Sequence, residues 1–215
     1  EAAQAFDGSL GAELDDADAR AWVRLTTALS KYKTANDANV AARSAIELIG
    51  GNAYTSDYVV ARFLRDAQVL TVWEGPANIQ ALEVLRIVGN STIGFTTFVD
   101  RVCHAIEVAP TTVGNSTVVL GRSLEEAKAG VLHLKEHPSQ GEKYARRLMA
   151  LLSEILAASL LCEEAAAAAE LGDARKGLIA RLYIERQLQQ RADHMLKIGE
   201  DWSDSWFDPL FHYEP

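Results

Sequence analysis

Cysteine is almost missing from this chain. Cys103 and Cys162 are the only two in 215 residues, too few for a disulfide framework or a cysteine-built zinc site, so a reducing, cytoplasmic setting is the expectation. Histidine is also sparse. Of His104, His133, His137, His194 and His212, only His133 and His137 stand at helical i, i+4 spacing, and Leu134 follows His133 where a metalloprotease helix carries glutamate. No metal site is expected; the pair reads as an exposed helix end running into Pro138. Long apolar runs are lacking too, since nothing approaches the ~18 uninterrupted residues a membrane helix needs. The start, Glu1-Ala2-Ala3-Gln4, has no basic segment followed by an apolar one and no initiator methionine. Nor is there an excess of positive charge: 21 Lys+Arg face 30 Asp+Glu, a net charge of −9. That balance disfavours a surface that wraps nucleic acid.

What the chain has is apolar content arranged at helical spacing. The hydrophobic fraction is 48%, ample for a core, and apolar residues recur at intervals of three and four with no strict alternation of the kind a half-buried strand shows. The fold class expected is all-α. A first helix follows the carboxylates Asp15, Asp16 and Asp18, which suit a helix N-terminus, and carries Trp22, Leu25, Leu29 and Tyr32 on one face. It continues past Lys33 as a stripe of small residues, Ala38, Ala41 or Ala42, and Ala45, then Ile49, until Gly50-Gly51-Asn52 ends it. A shorter helix over about 57–69 buries Val60, Phe63 and Leu64. Pro76, directly after Gly75, is placed for the first turn of a further helix carrying Ile79, Leu82 and Leu85.

Gly89-Asn90-Ser91 reads as a boundary between two modules, residues 1–90 and 91–215. Beyond it four helices are predicted, over about 92–109, 116–136, 140–171 and 174–199, bounded by Pro110, Pro138 and Gly172. Their short connections imply antiparallel neighbours in a bundle. The acidic, aromatic tail around Trp202 and Trp206 reads as an extended segment docking on that bundle.

One stretch carries chemistry. In order it holds the alanine-striped helix, Leu48-Ile49-Gly50-Gly51-Asn52-Ala53-Tyr54, Arg65-Asp66, Trp73-Glu74-Gly75, Asn78-Ile79-Gln80 and Arg86. This ordered set, over about residues 20–88, resembles the acyl-CoA dehydrogenases. Trp73-Glu74-Gly75, Glu47, Leu85-Arg86 and the long helical module after them resemble most the AidB-like, adaptive-response branch. The resemblance implies an incomplete C-terminal helical bundle of that family, followed by a second antiparallel bundle. It also implies that the chain is the C-terminal part of a longer protein, because the preceding helical and β-domains of the family are not in this sequence.

The chemistry implied is α,β-dehydrogenation of an acyl-CoA thioester, with FAD taking a hydride from the β-carbon while Glu74 removes the α-proton. A weakly acidic α-proton needs a positioned acceptor whose basicity desolvation raises. The backbone N–H at Glu74 is implied as a donor to the thioester carbonyl, and Gly75 as the residue that permits close approach. Trp73, Glu74 and Gly75 are then substrate-binding. The FAD contacts implied are Glu47, Gly50, Gly51, Gly75, Pro76 and Asn78, with Gly50-Gly51 lying against the ADP half of a cofactor held by a neighbouring subunit. Two positions depart from the family's usual pattern. Glu47 stands where Gln is common, so its charge needs neutralising beside a pyrophosphate, and Pro76 stands where Thr is common and offers flavin no hydroxyl. For Arg65-Asp66 and Arg86 structural salt bridging is the preferred reading.

The resemblance further implies an electron acceptor for the flavin, a homo-oligomer (dimer or tetramer), a place in fatty acid metabolism, and a fragment that by itself holds little FAD and has negligible activity. Two alternatives stay open. One is an AidB-like flavoprotein with a nucleic-acid-associated or protective role, for which Lys143, Arg146 and Arg147, or Arg175, Lys176, Arg181, Arg186 and Arg191, would have to form a basic stripe. Because Glu142, Glu154, Glu185 and Asp193 are interleaved with them, a salt-bridged solvated face is expected instead. The other is a helical interaction module without chemistry.

Overall fold

The computed structural model describes residues 17–90 and 92–189. Among them there is no strand, and the order of elements is α1 (Ala17–Ile49), a 3-10 turn (Gly51–Tyr54), α2 (Val60–Val69), α3 (Ala77–Asn90), α4 (Thr92–Val108), α5 (Ser116–Glu136), α6 (Gly141–Glu170) and α7 (Arg175–Ile184). A single π-helical turn, Glu185–Gln189, follows α7. The all-α expectation holds. The tail around Trp202 and Trp206, and the part of the last expected helix beyond 189, lie outside the described residues.

The predicted stops act as expected. Pro110 leaves the helical conformation after α4, Pro138 follows the end of α5, and Gly172, with φ +79°, turns the chain after α6. Leu25 and Leu29 of α1, Val84 and Val88 of α3, Phe98 and Val102 of α4, and Leu148, Leu152 and Ile155 of α6 all lie in one continuous apolar core. The break read at residues 89–91 thus falls between two helices that both feed the same core. A glycine marks one close approach: a Cβ at Gly94 of α4 would stand 3.1 Å from Ile87 Cγ2 and 3.2 Å from Ala21 Cβ.

Polar contacts fix the register of these helices. Lys33 of α1 lies 3.4 Å from the Glu154 carboxylate of α6, both side chains being largely buried, and Tyr183 of α7 donates its hydroxyl to the same carboxylate. The Lys33 ammonium also pairs with Asp37 at 2.7 Å. Arg101 of α4 pairs with Glu163 of α6 at 2.6 Å, and Arg24 of α1 donates from Nε to Glu83 of α3 at 3.0 Å. As expected, Arg86 is structural, lying 3.6 Å from Glu83. Asp66, however, pairs with Arg62 one turn back, at 3.3 Å, rather than with Arg65, because residues four apart meet on a helix face and adjacent ones do not.

The structure differs from the sequence reading on α2. Only Ala67 of that helix is buried, and Phe63 is 54% exposed. The reason lies in α1, whose far half is itself uncovered: Leu48 is 88% and Ile49 53% exposed, so α2 meets a rim and not a core. Ile79, expected on the inner face of α3, is also exposed; Ala81, Val84, Ile87 and Val88 take that face.

Two outcomes test this packing. Because helices on both sides of Asn90 share one core, urea should unfold residues 17–189 in a single transition, and Leu152→Ala should lower its stability by about 2–5 kcal/mol. Two separated transitions, with Leu152→Ala affecting one of them, would refute the shared core. The thiols offer a second test. Cys103 is exposed and Cys162 buried; burial, aided by the neighbouring Glu163 charge, pushes the Cys162 thiol up to about 11 from 9.0. A thiol reagent at mildly alkaline pH should label one cysteine in the native chain and two after denaturation. Since the folded thiol keeps its proton to higher pH than the unfolded one, stability should fall as pH rises from about 9 to about 11.

Candidate functional site

α2 ends at Val69 and the chain must return to α1 within a few residues to start α3. Successive turns do this: Leu70 N–H donates to Ala67 O at 3.2 Å, Thr71 to Gln68 O at 3.1 Å, and Val72 and Trp73 both to Val69 O at 3.0 and 3.1 Å. Thr71 Oγ1 accepts from Gln68 Nε2 and donates to Gln68 O, each at 2.8 Å. Across the gap, Lys31 Nζ of α1 donates to Leu70 O. Asn39 Nδ2 donates to Ala35 O at 2.8 Å and to Ala67 O at 2.9 Å, joining α1 to α2.

At Glu74 the backbone enters the left-handed region. Its φ is +55°, the one positive value for a non-glycine among the described residues, and Gly75 follows at +92°. Gly75 is explained by sterics, because a Cβ there would stand 2.7 Å from Gln80 Nε2 and 3.3 Å from Ile79 Cγ2. Glu74 has no such excuse: a left-handed conformation costs a residue with a Cβ about 1–2 kcal/mol. The turn is held from α3, where Gln80 Nε2 donates to Glu74 O at 2.9 Å and reaches Gly75 O at 3.4 Å. Pro76 then leads into α3, accepting at its carbonyl from Ile79 N–H at 2.9 Å.

Two cavities open beside this turn, each of about 360 Å³. Lys31 and Ala35 line both. One takes in Trp73 and Glu74 with Ala38 and Leu70, a largely apolar wall that also carries Thr34 and the Lys31 ammonium beside a single carboxylate. The other takes in Gly75, Pro76, Asn78 and Gln80, together with Asn39 and, from α6, Arg146. Glu74 and Trp73 are exposed, Trp73 at 65%. The Glu74 N–H has no backbone acceptor among the described residues, and the first N–H groups of α3, at Ala77 and Asn78, belong to the set that any helix leaves without intrahelical partners. Donors and carboxylate are therefore free to meet a ligand.

Glu47, Gly50 and Gly51 stand elsewhere. They close the far end of α1, some 12 residues beyond Ala38 and so about 18 Å along its axis. Gly50 has φ +82° and donates its N–H to Ile46 O at 2.8 Å. Nothing lies within 4 Å of where a Cβ would project at Gly50 or Gly51; open backbone of this kind lets a phosphate come close. Arg43 stands 3.5 Å from the Glu47 carboxylate, with both groups exposed, which answers the charge problem at Glu47. The residues present thus fit the ADP portion of a dinucleotide at one end of α1 and an acyl thioester near its middle. Sequence reasoning missed Gln80, Lys31, Asn39 and Arg146. Gln80 had a signal, since it lies one turn into the helix that starts at Pro76.

The left-handed pair can be tested by stability alone. Glu74→Gly should leave the unfolding free energy unchanged or raise it by less than about 1 kcal/mol, as relief of strain offsets the extra freedom of the unfolded chain. Gly75→Ala should lower it by about 1–2 kcal/mol. Equal effects of the two changes in urea melts would contradict the turn described.

Comparison with known proteins places the segment. The family model described as "Acyl-CoA dehydrogenase, C-terminal domain" matches residues 3–89. The chain is 26% identical over 150 residues to acyl-CoA dehydrogenase family member 11 of Caenorhabditis elegans, a stretch covering 66% of this chain and 24% of that protein. It is 33% identical over 72 residues to the putative acyl-CoA dehydrogenase AidB of Escherichia coli K12, covering 34% of this chain and 13% of the relative. The crystal structure of C. elegans ACDH-11 in complex with C11-CoA superposes with a TM-score of 0.77 at 24% identity, over 87% of this chain and 32% of that one. This likeness in fold extends well past residue 89. The chain spans about a quarter of the length of the first of these relatives. Residues 3–89, which include the glycine loop, the left-handed Glu74-Gly75 turn and the start of the following helix, are similar to the C-terminal domain of the acyl-CoA dehydrogenases.

Proposed function

We propose that this chain serves as the C-terminal portion of an FAD-dependent acyl-CoA dehydrogenase, with Glu74 as the base that takes the α-proton of an acyl-CoA thioester. The observation that carries this is the Glu74-Gly75 turn: a carboxylate held in a strained conformation at the mouth of an apolar cavity, with its own N–H unengaged. Trp73, Leu70, Ala35 and Ala38 supply the apolar wall for the start of an acyl chain. Glu74 is exposed until such a chain lies over it, and closure then excludes water from the carboxylate at the moment it must accept a proton. The Glu74 N–H meets the thioester oxygen, where negative charge gathers as the α-proton leaves.

FAD, when bound, accepts the hydride released from the β-carbon. Gly75, Pro76 and Asn78 lie on its flavin side in this reading, and Glu47, Gly50 and Gly51 meet the ADP half. Pro76 contributes shape and no hydroxyl; the N–H groups of the first turn of α3 are the donors there. In this reading the glycine loop meets the ADP half of a cofactor held by a neighbouring subunit of a homo-oligomer. The exposed side chains of Leu48, Ile49, Tyr54, Tyr58, Val59 and Phe63 form an apolar surface of the kind that subunit contacts cover. ACDH-11, whose fold this chain shares, was crystallised in complex with an acyl-CoA, and that supports the substrate class. Residues 91–215 are read as a helical domain added to the family's own, and the end of the family match at residue 89 supports that division.

The nucleic-acid alternative gains little. Of the basic stripe considered for it, Lys176 pairs with Glu164 and Arg181 with Glu185 at 2.8 Å, which leaves a mixed-charge face.

The test is an anaerobic titration of the FAD-loaded protein in its full length with short, medium and long acyl-CoA, following the oxidised flavin band near ~450 nm. Acyl-CoA should bleach the band, and Glu74→Gln should slow bleaching by at least about 100-fold. A flavin that stays oxidised with every acyl-CoA would overturn the dehydrogenase reading.

A further inference from the structure

Among the described residues, Gln80 is the one whose side chain hydrogen-bonds to the backbone of the Glu74-Gly75 turn. Its Nε2 lies 2.9 Å from Glu74 O and 3.4 Å from Gly75 O, and a Cβ at Gly75 would come within 2.7 Å of the same atom. The amide is therefore seated in the turn. Its backbone is fixed in parallel, since Gln80 N–H donates to Pro76 O at 3.2 Å in the first turn of α3. Both ends of the residue are anchored six residues or fewer from the carboxylate.

We propose that Gln80 is a positioning residue for proton abstraction, its side-chain amide clamping the carbonyls of Glu74 and Gly75 so that the left-handed turn presents the Glu74 carboxylate and N–H together. The proposal rests on the reading of Glu74 as base. Holding the two carbonyls fixes the peptide planes on either side of Gly75, and with them its φ and ψ, so that the plane leaving Glu74 is held in place. Without the clamp, Glu74 has every reason to relax: its φ of +55° is unfavourable for a side chain with a Cβ, and the turn is exposed. The residue type is specific. An amide NH2 offers two protons and so can serve two carbonyls; a carboxylate offers none and would face two carbonyl oxygens with like partial charge, and asparagine is one methylene too short. The distances order the two contacts, the Glu74 bond being well within normal length and the Gly75 one near the limit. Loss of the clamp is thus expected to act first on Glu74.

Two measurements on Gln80→Leu and Gln80→Glu test this. In the 215-residue chain, hydrogen exchange should accelerate at the Trp73 amide, which donates to Val69 O at the start of the turn, in both variants, with α3 unchanged. In the FAD-loaded full-length protein, both should keep flavin content and bind acyl-CoA within about threefold of the parent, while the rate of flavin reduction at saturating acyl-CoA falls by about 10–100-fold, as expected for a base displaced by ~1 Å. A residue needed only for folding would lower flavin content and thermal stability and leave the rate per bound flavin alone; that result would overturn the proposal. So would unchanged exchange at Trp73. If the parent protein itself is not reduced by any acyl-CoA, the dehydrogenase reading has failed, and faster exchange in both variants would still show Gln80 holding the turn. Should Gln80→Leu fold poorly, Gln80→Glu, of equal length and nearly equal volume, carries the same comparison.

Discussion

The burial of α1 is uneven, and the rest of the structure depends on that. Over its first half Trp22, Leu25, Ala28, Leu29 and Ala35 are 8% exposed or less, while over its last turns Leu48 and Ile49 stand in the open. Each fully buried leucine contributes about 1.5–3 kcal/mol relative to exposure, so the first half is bound into the core and the second is carried by it as a projecting part of a rod of 33 residues. The residues of the candidate site stand on that rod or just past its end, on the α2–α3 connection laid across it and the first turn of α3, and, for Arg146, on α6. The glycine loop is at the tip and the Glu74 turn is near the middle. Mounting both on one helix fixes where they stand relative to each other.

What holds the rod in register is polar. Lys33 sits four residues before Asp37 and faces Glu154 of α6, whose carboxylate also accepts from Tyr183 of α7. Apolar burial alone is indifferent to small slips of one helix on another, whereas removal of one member of a desolvated pair leaves a buried charge at a cost of about 3–5 kcal/mol. The contact therefore selects one register more than it adds stability. It also means that α6 and α7, outside the residues matched by the family model, take part in setting where Lys31, Ala35 and Asn39 meet the Glu74 turn. Arg146 of α6 reaches the same cavity directly.

Element by element, the fold was legible because each signal was local. Pro110 and Pro138 remove a donor and fix φ wherever they stand, Gly172 supplies a left-handed turn, and the three-four spacing of Leu148, Leu151, Leu152 and Ile155 marks a core face on any helix. Phe63 and Ile79 were misjudged for the opposite reason. Periodicity assigns a face and not what covers it, and α2 lies on the bare half of α1, where little is available to cover Phe63. The candidate residues Glu74, Gly75, Gly50 and Gly51 were found through a resemblance in order and spacing. Their geometry was not in the sequence at all: nothing local announces that Glu74 adopts φ +55°, or that Gln80, six residues on, reaches back to its carbonyl. Those features come from how α3 docks against α1.

That docking also separates two kinds of residue in the turn. Gly75 is what sterics demand, because φ +92° and the seated Gln80 amide leave no room for a Cβ. Glu74 is what sterics oppose, for glycine or asparagine would adopt its conformation at less cost. Among the other described residues each positive φ falls on glycine, and the ion pairs within single helices sit at i, i+3 or i, i+4. A chain whose other described positive φ values all fall on glycine, and which departs from this at a carboxylate lining a cavity, is giving up stability there. The same position is the one that the family resemblance marks as the base. The strain at Glu74 is thus an observation of the fold, and the sequence order is what assigns the residue a role.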